Sequence, residues 1–155
     1  MFAVLVALVT VAAPDGDSAA RDETILSGPV RARVLRVVDG DTLVVRARIW
    51  LGQDVRTLVR LSGVDAPEMR GRCAAERIMA RRARSWLRAL VGDGEVVLTE
   101  IHLGKYAGRV VARVATPSGG NVADMIRRAG LARPYLGDRR ESWCQRADRT
   151  APQRR

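Results

Sequence analysis

The sequence is poor in the side chains that many metal and nucleophilic chemistries use. It has one histidine, His102, and two cysteines, Cys73 and Cys144. These three cannot complete a four-ligand zinc site without carboxylates. A Ser-His-Asp triad would have to recruit His102, which lies between Ile101 and Leu103 in an apolar, strand-like run. A structural or surface role suits it better. No GxxxxGK[ST] loop occurs and no GxGxxG follows a strand, which argues against nucleotide-fuelled chemistry. Lysine is nearly absent too: Lys105 stands alone among 27 basic residues, and the rest are arginine. No apolar run reaches the roughly 20 residues of a bilayer helix.

What is present describes one folded domain. The chain has 155 residues, of which 47% are hydrophobic and 28% charged. That is too apolar for disorder and long enough to bury a core without a metal or a disulfide. The 27 basic residues outnumber 17 acidic ones, for a net charge of +10. A soluble surface is the plain reading of this surplus. The sharper reading is a polyanion partner, most simply nucleic acid, because the planar fork of arginine matches phosphate oxygens.

Phe2 to Ala13 has the length and apolarity of a secretory h-region, and Ser18-Ala19-Ala20 offers small residues for cleavage. A basic n-region is missing. Residues 1–20 read as a signal peptide (or an N-terminal anchor), with a buried first strand as the alternative. Residues 21–29 read as a linker, 30–145 as the domain and 146–155 as a basic flexible tail. Export would place Cys73 and Cys144 in an oxidising compartment, where a disulfide is expected, with two buried thiols as the alternative. Such a bridge closes a loop of about 70 residues, worth about 4 kcal/mol in the chain-entropy account. It would tie the start of the long helix to the carboxy-terminal segment.

Within the domain, Val30 to Val34 alternates apolar with basic residues, as a half-buried strand does. The turn Asp39-Gly40-Asp41 follows. Leu43, Val45, Ala47 and Ile49 then share one strand face, and Arg46 and Arg48 lie opposite. Gly52-Gln53-Asp54 turns the chain into a third strand, Val55 to Val64. Cys73 to Val91 has helical periodicity, with Ala75, Met79, Ala83, Trp86 and Leu90 on its expected core stripe. Strands are expected at 95–103 and 109–115, and a short helix at 122–129 capped by Asn121 and stopped by Gly130. Three strands, a helix, two strands and a helix form an α+β pattern. It suits a five-stranded OB-fold barrel with two to three packed helices.

Two acidic turns stand out, Asp39-Gly40-Asp41-Thr42 and Asp65-Ala66-Pro67-Glu68. Carboxylates converging in such a basic chain need a cation or hydrogen-bond donors between them. Carboxylate and main-chain oxygens suit hard ions. Arg60 precedes the second turn, and Arg109 follows the loop Gly104-Lys105-Tyr106-Ala107-Gly108. Two arginines, a hard cation and a carboxylate base make up a set for phosphodiester hydrolysis.

Together these blocks resemble the staphylococcal nuclease-like (thermonuclease) family. They are Asp39-Gly40-Asp41-Thr42, then Arg60-Leu61-Ser62-Gly63-Val64-Asp65-Ala66-Pro67-Glu68, then Lys105-Tyr106-Ala107-Gly108-Arg109, with Gly130-Leu131-Ala132 beyond. The likeness runs from about Val30 to Tyr135. It implies an OB-fold enzyme that cleaves DNA and RNA with Ca²⁺, Mg²⁺ being the weaker candidate. Asp41, Asp65 and the Ala66 carbonyl would be metal ligands, Glu68 the general base, and Arg60 and Arg109 the phosphate clamp. Lys105 and Tyr106 would line the nucleotide site, and Asp39 would stand behind the metal ligands. A secreted or periplasmic monomer acting on DNA or RNA is the expectation. The alternative is an OB-fold module that binds nucleic acid or another polyanion with little or no catalysis.

Three departures from the family pattern are visible. Ala66 stands where threonine is common. The hairpin between Asp41 and Arg60 is a few residues longer. Gly104 replaces the usual aspartate and Ala107 is an extra residue before Gly108, a change expected to shift Tyr106 or Arg109.

Overall fold

The computed structural model describes residues 25–137 and 139–144. The signal-like segment of residues 1–20 and the tail at 146–155 lie outside the described residues. Within residues read as linker, Ile25–Leu26 forms a short strand, β1, because its main chain pairs with Ile101 and His102.

Alternating side chains dictate the next elements. β2 (Val30–Asp39) turns Ala32, Val34 and Val37 inward and leaves Arg31, Arg33 and Arg36 exposed. β3 (Thr42–Trp50) buries Leu43, Val45 and Ala47, with Arg46 and Arg48 outside. β4 (Gln53–Leu61) starts two residues earlier than the pattern suggests and stops at Leu61. A turn at Ser62 and Gly63 separates it from β5 (Val64–Asp65), so the expected third strand is two strands. Gly63 has φ 78°, a left-handed conformation that side chains disfavour.

α1 (Ala74–Val91) begins at Cys73, whose Sγ accepts the Glu76 N–H at 3.4 Å, and ends where the Gly92 N–H donates to the Arg88 carbonyl. Its core stripe is Glu76, Ala80, Ala83, Leu87 and Val91, rotated from the expected Ala75–Met79–Ala83–Trp86–Leu90 line. The rotation follows from Glu76: its carboxylate is buried because it accepts main-chain N–H groups of the preceding loop, a use hydropathy does not register. β6 (Glu95–Leu103) and β7 (Arg109–Ala115) fall where the sequence places them. α2 (Val122–Arg128) is capped by Asn121, whose side-chain oxygen accepts the Asp124 N–H at 3.1 Å. β8 (Arg133–Pro134) then pairs with β5, setting Arg133 opposite Asp65.

β2 pairs with β3, β3 with β4, β4 with β7, β7 with β6, and β6 returns to β2. The five long strands therefore close into a barrel with two packed helices, the OB architecture. The β4–β7 pair is parallel and the other four are antiparallel. Leu43, Val45, Val59, Leu61, Val96, Leu98 and Val114 fill the interior, while Ala83 and Leu87 of α1 and Ile126 of α2 join the same core. Each fully buried aliphatic side chain of this kind contributes about 1.5–3 kcal/mol. The closed barrel brings the β2–β3 turn, the end of β4 and β5 to one end of the molecule.

Candidate active site

Glycine decides how closely the first acidic turn can approach the rest. A Cβ on Gly40 would lie 2.7 Å from the Ala83 Cβ and 2.8 Å from the Ala66 Cβ. Real Cβ atoms do not come that near, so only glycine lets this turn seat between α1 and the Asp65–Ala66 segment. Asp39 holds the turn: its Oδ1 accepts the Asp41 N–H at 3.3 Å. Asp41 is buried; it accepts Thr42 Oγ1 at 2.9 Å and the Ala66 N–H at 3.2 Å. Burial pushes the Asp41 carboxyl up to about 6, against the lowering effect of Arg60 and with Asp39 adding to the rise.

Arg60 is the hub. Only 7% of it is exposed, and its guanidinium lies 2.7 Å from Asp41 and 3.5 Å from Asp65. It also donates to the Val64 carbonyl at 3.2 Å. A buried cation is tolerated only when paired and hydrogen-bonded in this way. One guanidinium thus joins two acids that are 24 positions apart in the chain.

Glu68 is exposed beside them, on a loop fixed from below by Glu76. The Glu76 carboxylate accepts the Glu68 N–H at 3.4 Å and the Arg72 N–H at 3.0 Å. A Cβ on Gly71 would meet the Glu76 side chain at 2.4–2.6 Å, so a larger residue there would displace the carboxylate that holds the loop.

The opposite wall comes from the carboxy-terminal segment. Arg140 binds Glu68 at 2.5 Å and lies 2.9 Å from Asp65. The Trp143 indole N–H donates to the other Asp65 oxygen at 3.1 Å. Arg60 and Arg140 both lie over the Tyr135 ring, 5.9 Å from its centroid, and Arg133 lies 3.7 Å over Trp143. Cys73 and Cys144 form the expected disulfide, which anchors this segment to the start of α1. A cleft of about 700 Å³ remains between Asp65, Glu68 and Arg70 on one side and Arg139, Arg140 and Trp143 on the other.

Arg109 stands apart from this cluster. It pairs in register with Leu58 on β4, two positions from the Val111–Arg60 pair. Its guanidinium stacks on Tyr106 at 4.9 Å, and among the described residues it makes no ion pair with Asp41, Asp65 or Glu68. Lys105 and Tyr106 are exposed in the same loop. The Gly104 N–H donates to the Arg109 carbonyl at 2.8 Å, and a Cβ there would approach that oxygen to 2.9 Å. The tight loop therefore leaves no room for a side chain at this position.

Two buried side-chain atoms lack a hydrogen-bond partner among the described residues: Asp65 Oδ1 and Arg109 Nε. Two guanidiniums stand within ion-pair range of Asp65 Oδ1, but neither aligns an N–H on it. Orphaned buried polar atoms are rare and call for a ligand or a function. The Asp65 oxygen already faces protein cations, Arg140 at 2.9 Å and Arg60 at 3.5 Å, so of the two atoms it is the Arg109 N–H that has room for an anion. Asp41, Asp65, the Ala66 carbonyl and Glu68 offer only oxygen, the chemistry that Ca²⁺ or Mg²⁺ prefers, but the three carboxylates do not bring ligand atoms within 4.8 Å of one another. Cys73, Glu76 and Cys144 do group within 4.8 Å, but both sulfurs are spent in the disulfide and offer no thiolate.

Residues 58–155 match the family described as staphylococcal nuclease homologue. The chain belongs to that family. It is also 31% identical over 111 residues to an uncharacterized endonuclease of Escherichia coli, and to the same degree to one of Escherichia coli O157:H7. Each alignment covers 72% of this chain and 65% of the relative, so the chain spans about two thirds of the length of these curated relatives. The family match begins at residue 58. Asp39 and Asp41 lie before it, and the fold itself carries them into the site.

Sequence reasoning named Asp39, Asp41, Arg60, Asp65, Ala66 and Glu68, and these are together in space. It missed Arg140, Trp143, Tyr135 and Glu76. A signal for two of them was available: once Cys144 is bonded to Cys73, five residues from Glu68, side chains just before Cys144 must arrive next to Glu68. Glu76 carried no such signal, since an acid in the first helical turn ordinarily faces water.

Proposed function

We propose that this chain is a divalent-metal-dependent nuclease, periplasmic or secreted, that hydrolyses phosphodiester bonds in DNA, RNA or both. The meeting of Asp41 and Asp65 on the Arg60 guanidinium, with Glu68 exposed beside them, carries the reading. Family membership and the endonuclease name of the E. coli relatives support it. Asp41, Asp65 and the Ala66 carbonyl would hold the ion, with Ca²⁺ favoured over Mg²⁺ by family resemblance. When bound, the ion supplies Lewis acidity to a phosphate oxygen.

The chain's own groups do the rest. Glu68, exposed at the cleft, orients a water and takes its proton as the water attacks phosphorus in line. Arg60, buried and clasped by Asp41 and Asp65, would reach a phosphate oxygen only as one of those ion pairs opens, an exchange that a cation bound to the two acids would favour. Arg109 holds a second phosphate oxygen through the N–H that no protein group uses, and Arg140 adds a third guanidinium from the opposite wall. Lys105 and Tyr106 border the nucleotide beside Arg109. Asp39 keeps the turn that carries Asp41. The disulfide supports an oxidising compartment, and no described helix is long and apolar enough to cross a membrane.

The separation of Arg109 from the acids favours a second reading, a module that binds polynucleotides without cutting them. One assay decides between the two. The full chain is incubated with single-stranded DNA in Ca²⁺, in Mg²⁺ and in excess chelator. Cleavage in Ca²⁺ that chelator stops is the expected result. Retention of intact DNA in every condition would leave the binding module, and equal digestion with all divalent ions removed would end the metal assignment.

A further inference from the structure

Arginines face one another on the outer surface of the barrel, midway along β3 and β4. In register, Arg33 of β2 stands opposite Arg46 of β3, and Arg46 stands opposite Arg56 of β4. Three guanidinium side chains thus form one row across three strands. Arg31 and Arg48 lie one position beyond the Ala32–Ala47 pair and line the same groove of about 390 Å³. All five are exposed. Two acids share the groove, Asp54 and Glu95. Asp54 binds Arg48 at 2.9 Å, and among the described residues no ion pair engages Arg31, Arg33, Arg46 or Arg56.

Like charges placed directly opposite each other destabilise a sheet. Glu95 of β6 stands opposite Arg33 and balances one end of the row, so the Arg46–Arg56 pair is left without an acid in register, and a run of phosphates would complement it. Side chains two apart on a strand share a face, so Arg56 and Arg60 point the same way from β4, as do Arg46 and Thr42 from β3. The Arg46–Arg56 pair is four residues from the Thr42–Arg60 pair, a distance of about 14 Å along the strands. The row therefore continues the face that bears the acid cluster. Beyond it, at the hairpin tip, Trp50 is 70% exposed and can stack on a base.

We propose that this arginine ladder is a second phosphate-binding site that holds the polynucleotide along the outer face of β2, β3 and β4. It rests on nucleic acid being the ligand of this chain, and not on cleavage. The probe is a 30-nucleotide single-stranded DNA carrying a fluorophore, titrated with the full chain in chelator and read by anisotropy. The triple variant Arg33→Thr, Arg46→Thr, Arg56→Thr is compared with the parent at several salt concentrations.

Affinity should fall roughly tenfold or more at low salt, and the slope of log affinity against log salt should become shallower by about 2, since each phosphate contact on a single strand contributes about 0.7. The thermal midpoint should not drop, because opposed charges have been removed. In Ca²⁺, the preference of kcat/KM for the 30-mer over a dinucleotide should fall by the same factor as the affinity. An unchanged affinity and salt slope would overturn the ladder even if the parent is an active nuclease. A parent that binds but never cleaves, with the variant binding less, would keep the ladder and end the nuclease reading. Retained DNA binding with lost binding to vesicles of two parts phosphatidylcholine to one part phosphatidylglycerol would reassign the face to a membrane and overturn the proposal.

Discussion

β3 and β4 carry the same residue type on the same face at one end and at mid-strand, with opposite physics. At the barrel end, Arg60 is 7% exposed and clasped by Asp41 and Asp65. At mid-strand, Arg46 and Arg56 face each other in the open. A buried guanidinium is held in one geometry at low local dielectric, so its interactions are strong and salt-resistant. An exposed one is screened within about 10 Å at ordinary salt and gains energy only when many phosphates are met together. The basic surplus is thus divided between a fixed centre that suits chemistry and a loose face that suits a long polyanion.

The largest contrast is expected at the centre itself. Glu68→Gln keeps size and hydrogen bonding but removes the proton acceptor. Hydrolysis should fall by roughly 10²–10⁴-fold while anisotropy-measured DNA binding persists. A variant that cuts at the parental rate would mean that another group activates the water. Arg60→Leu should follow, because it strands two buried acids; a loss of about 3–5 kcal/mol in urea denaturation is expected. A loss below about 1 kcal/mol would show that the buried end is as forgiving as the exposed mid-strand row.

The strap comes next. Cys144→Ser opens a loop spanning 71 positions, and stability should drop by up to about 4 kcal/mol. Hydrolysis should fall with it, since Arg140 and Trp143 lose their anchor. Unchanged stability and rate, with the parent gaining 2 Da on reduction (about the mass of two hydrogens), would make the bridge incidental.

A subtler effect concerns pH. Burial holds the Asp41 carboxyl near 6 in the folded chain, above its ordinary 3.8. The folded state therefore binds this proton more tightly than the unfolded state does. Its contribution is fully present below about pH 4 and is lost as pH rises through about 6, by up to about 3 kcal/mol. In chelator, subtracting the stability profile of Asp41→Asn from that of the parent should show this decline. A flat or rising difference between pH 4 and 6 would reverse the assignment. The smallest effect belongs to the exposed row: Arg46→Thr should raise stability by a few tenths of a kcal/mol, within the 0.2–1 kcal/mol range of cross-strand pairs. A clear destabilisation would mean that the row is held by contacts and not strained by repulsion.

Much of this division was legible before any coordinates. Strand alternation told inward from outward residues along Val30 to Val34 and for Leu43, Val45 and Ala47, because a strand has a period of two, but it missed that Ile49 is exposed and Val44 buried. Asp41, Asp65 and Glu68 stood out because acids in turns of so basic a chain need an explanation. The helix stripe went astray by one position because hydropathy scores Glu76 as a surface residue, whereas its partners are main-chain N–H groups contributed by a loop. Arg140 escaped because its role depends on where β8 and the disulfide deliver it.

Composition and local pattern by themselves determined the five long strands in outline, the two helices and the acid-and-arginine inventory, since each reflects neighbours along the chain or simple counting. The short strands β1, β5 and β8 and the joining of the cysteines depended on the fold. Closure of the barrel decided which inventory members meet. It seated Gly40 between Ala83 and Ala66, drew Asp41 and Asp65 onto one guanidinium, left Arg109 apart, and set arginine against arginine across β2, β3 and β4. These outcomes depend on strand register and on packing between distant segments, and both arise only when the whole chain minimises its exposed apolar surface at once.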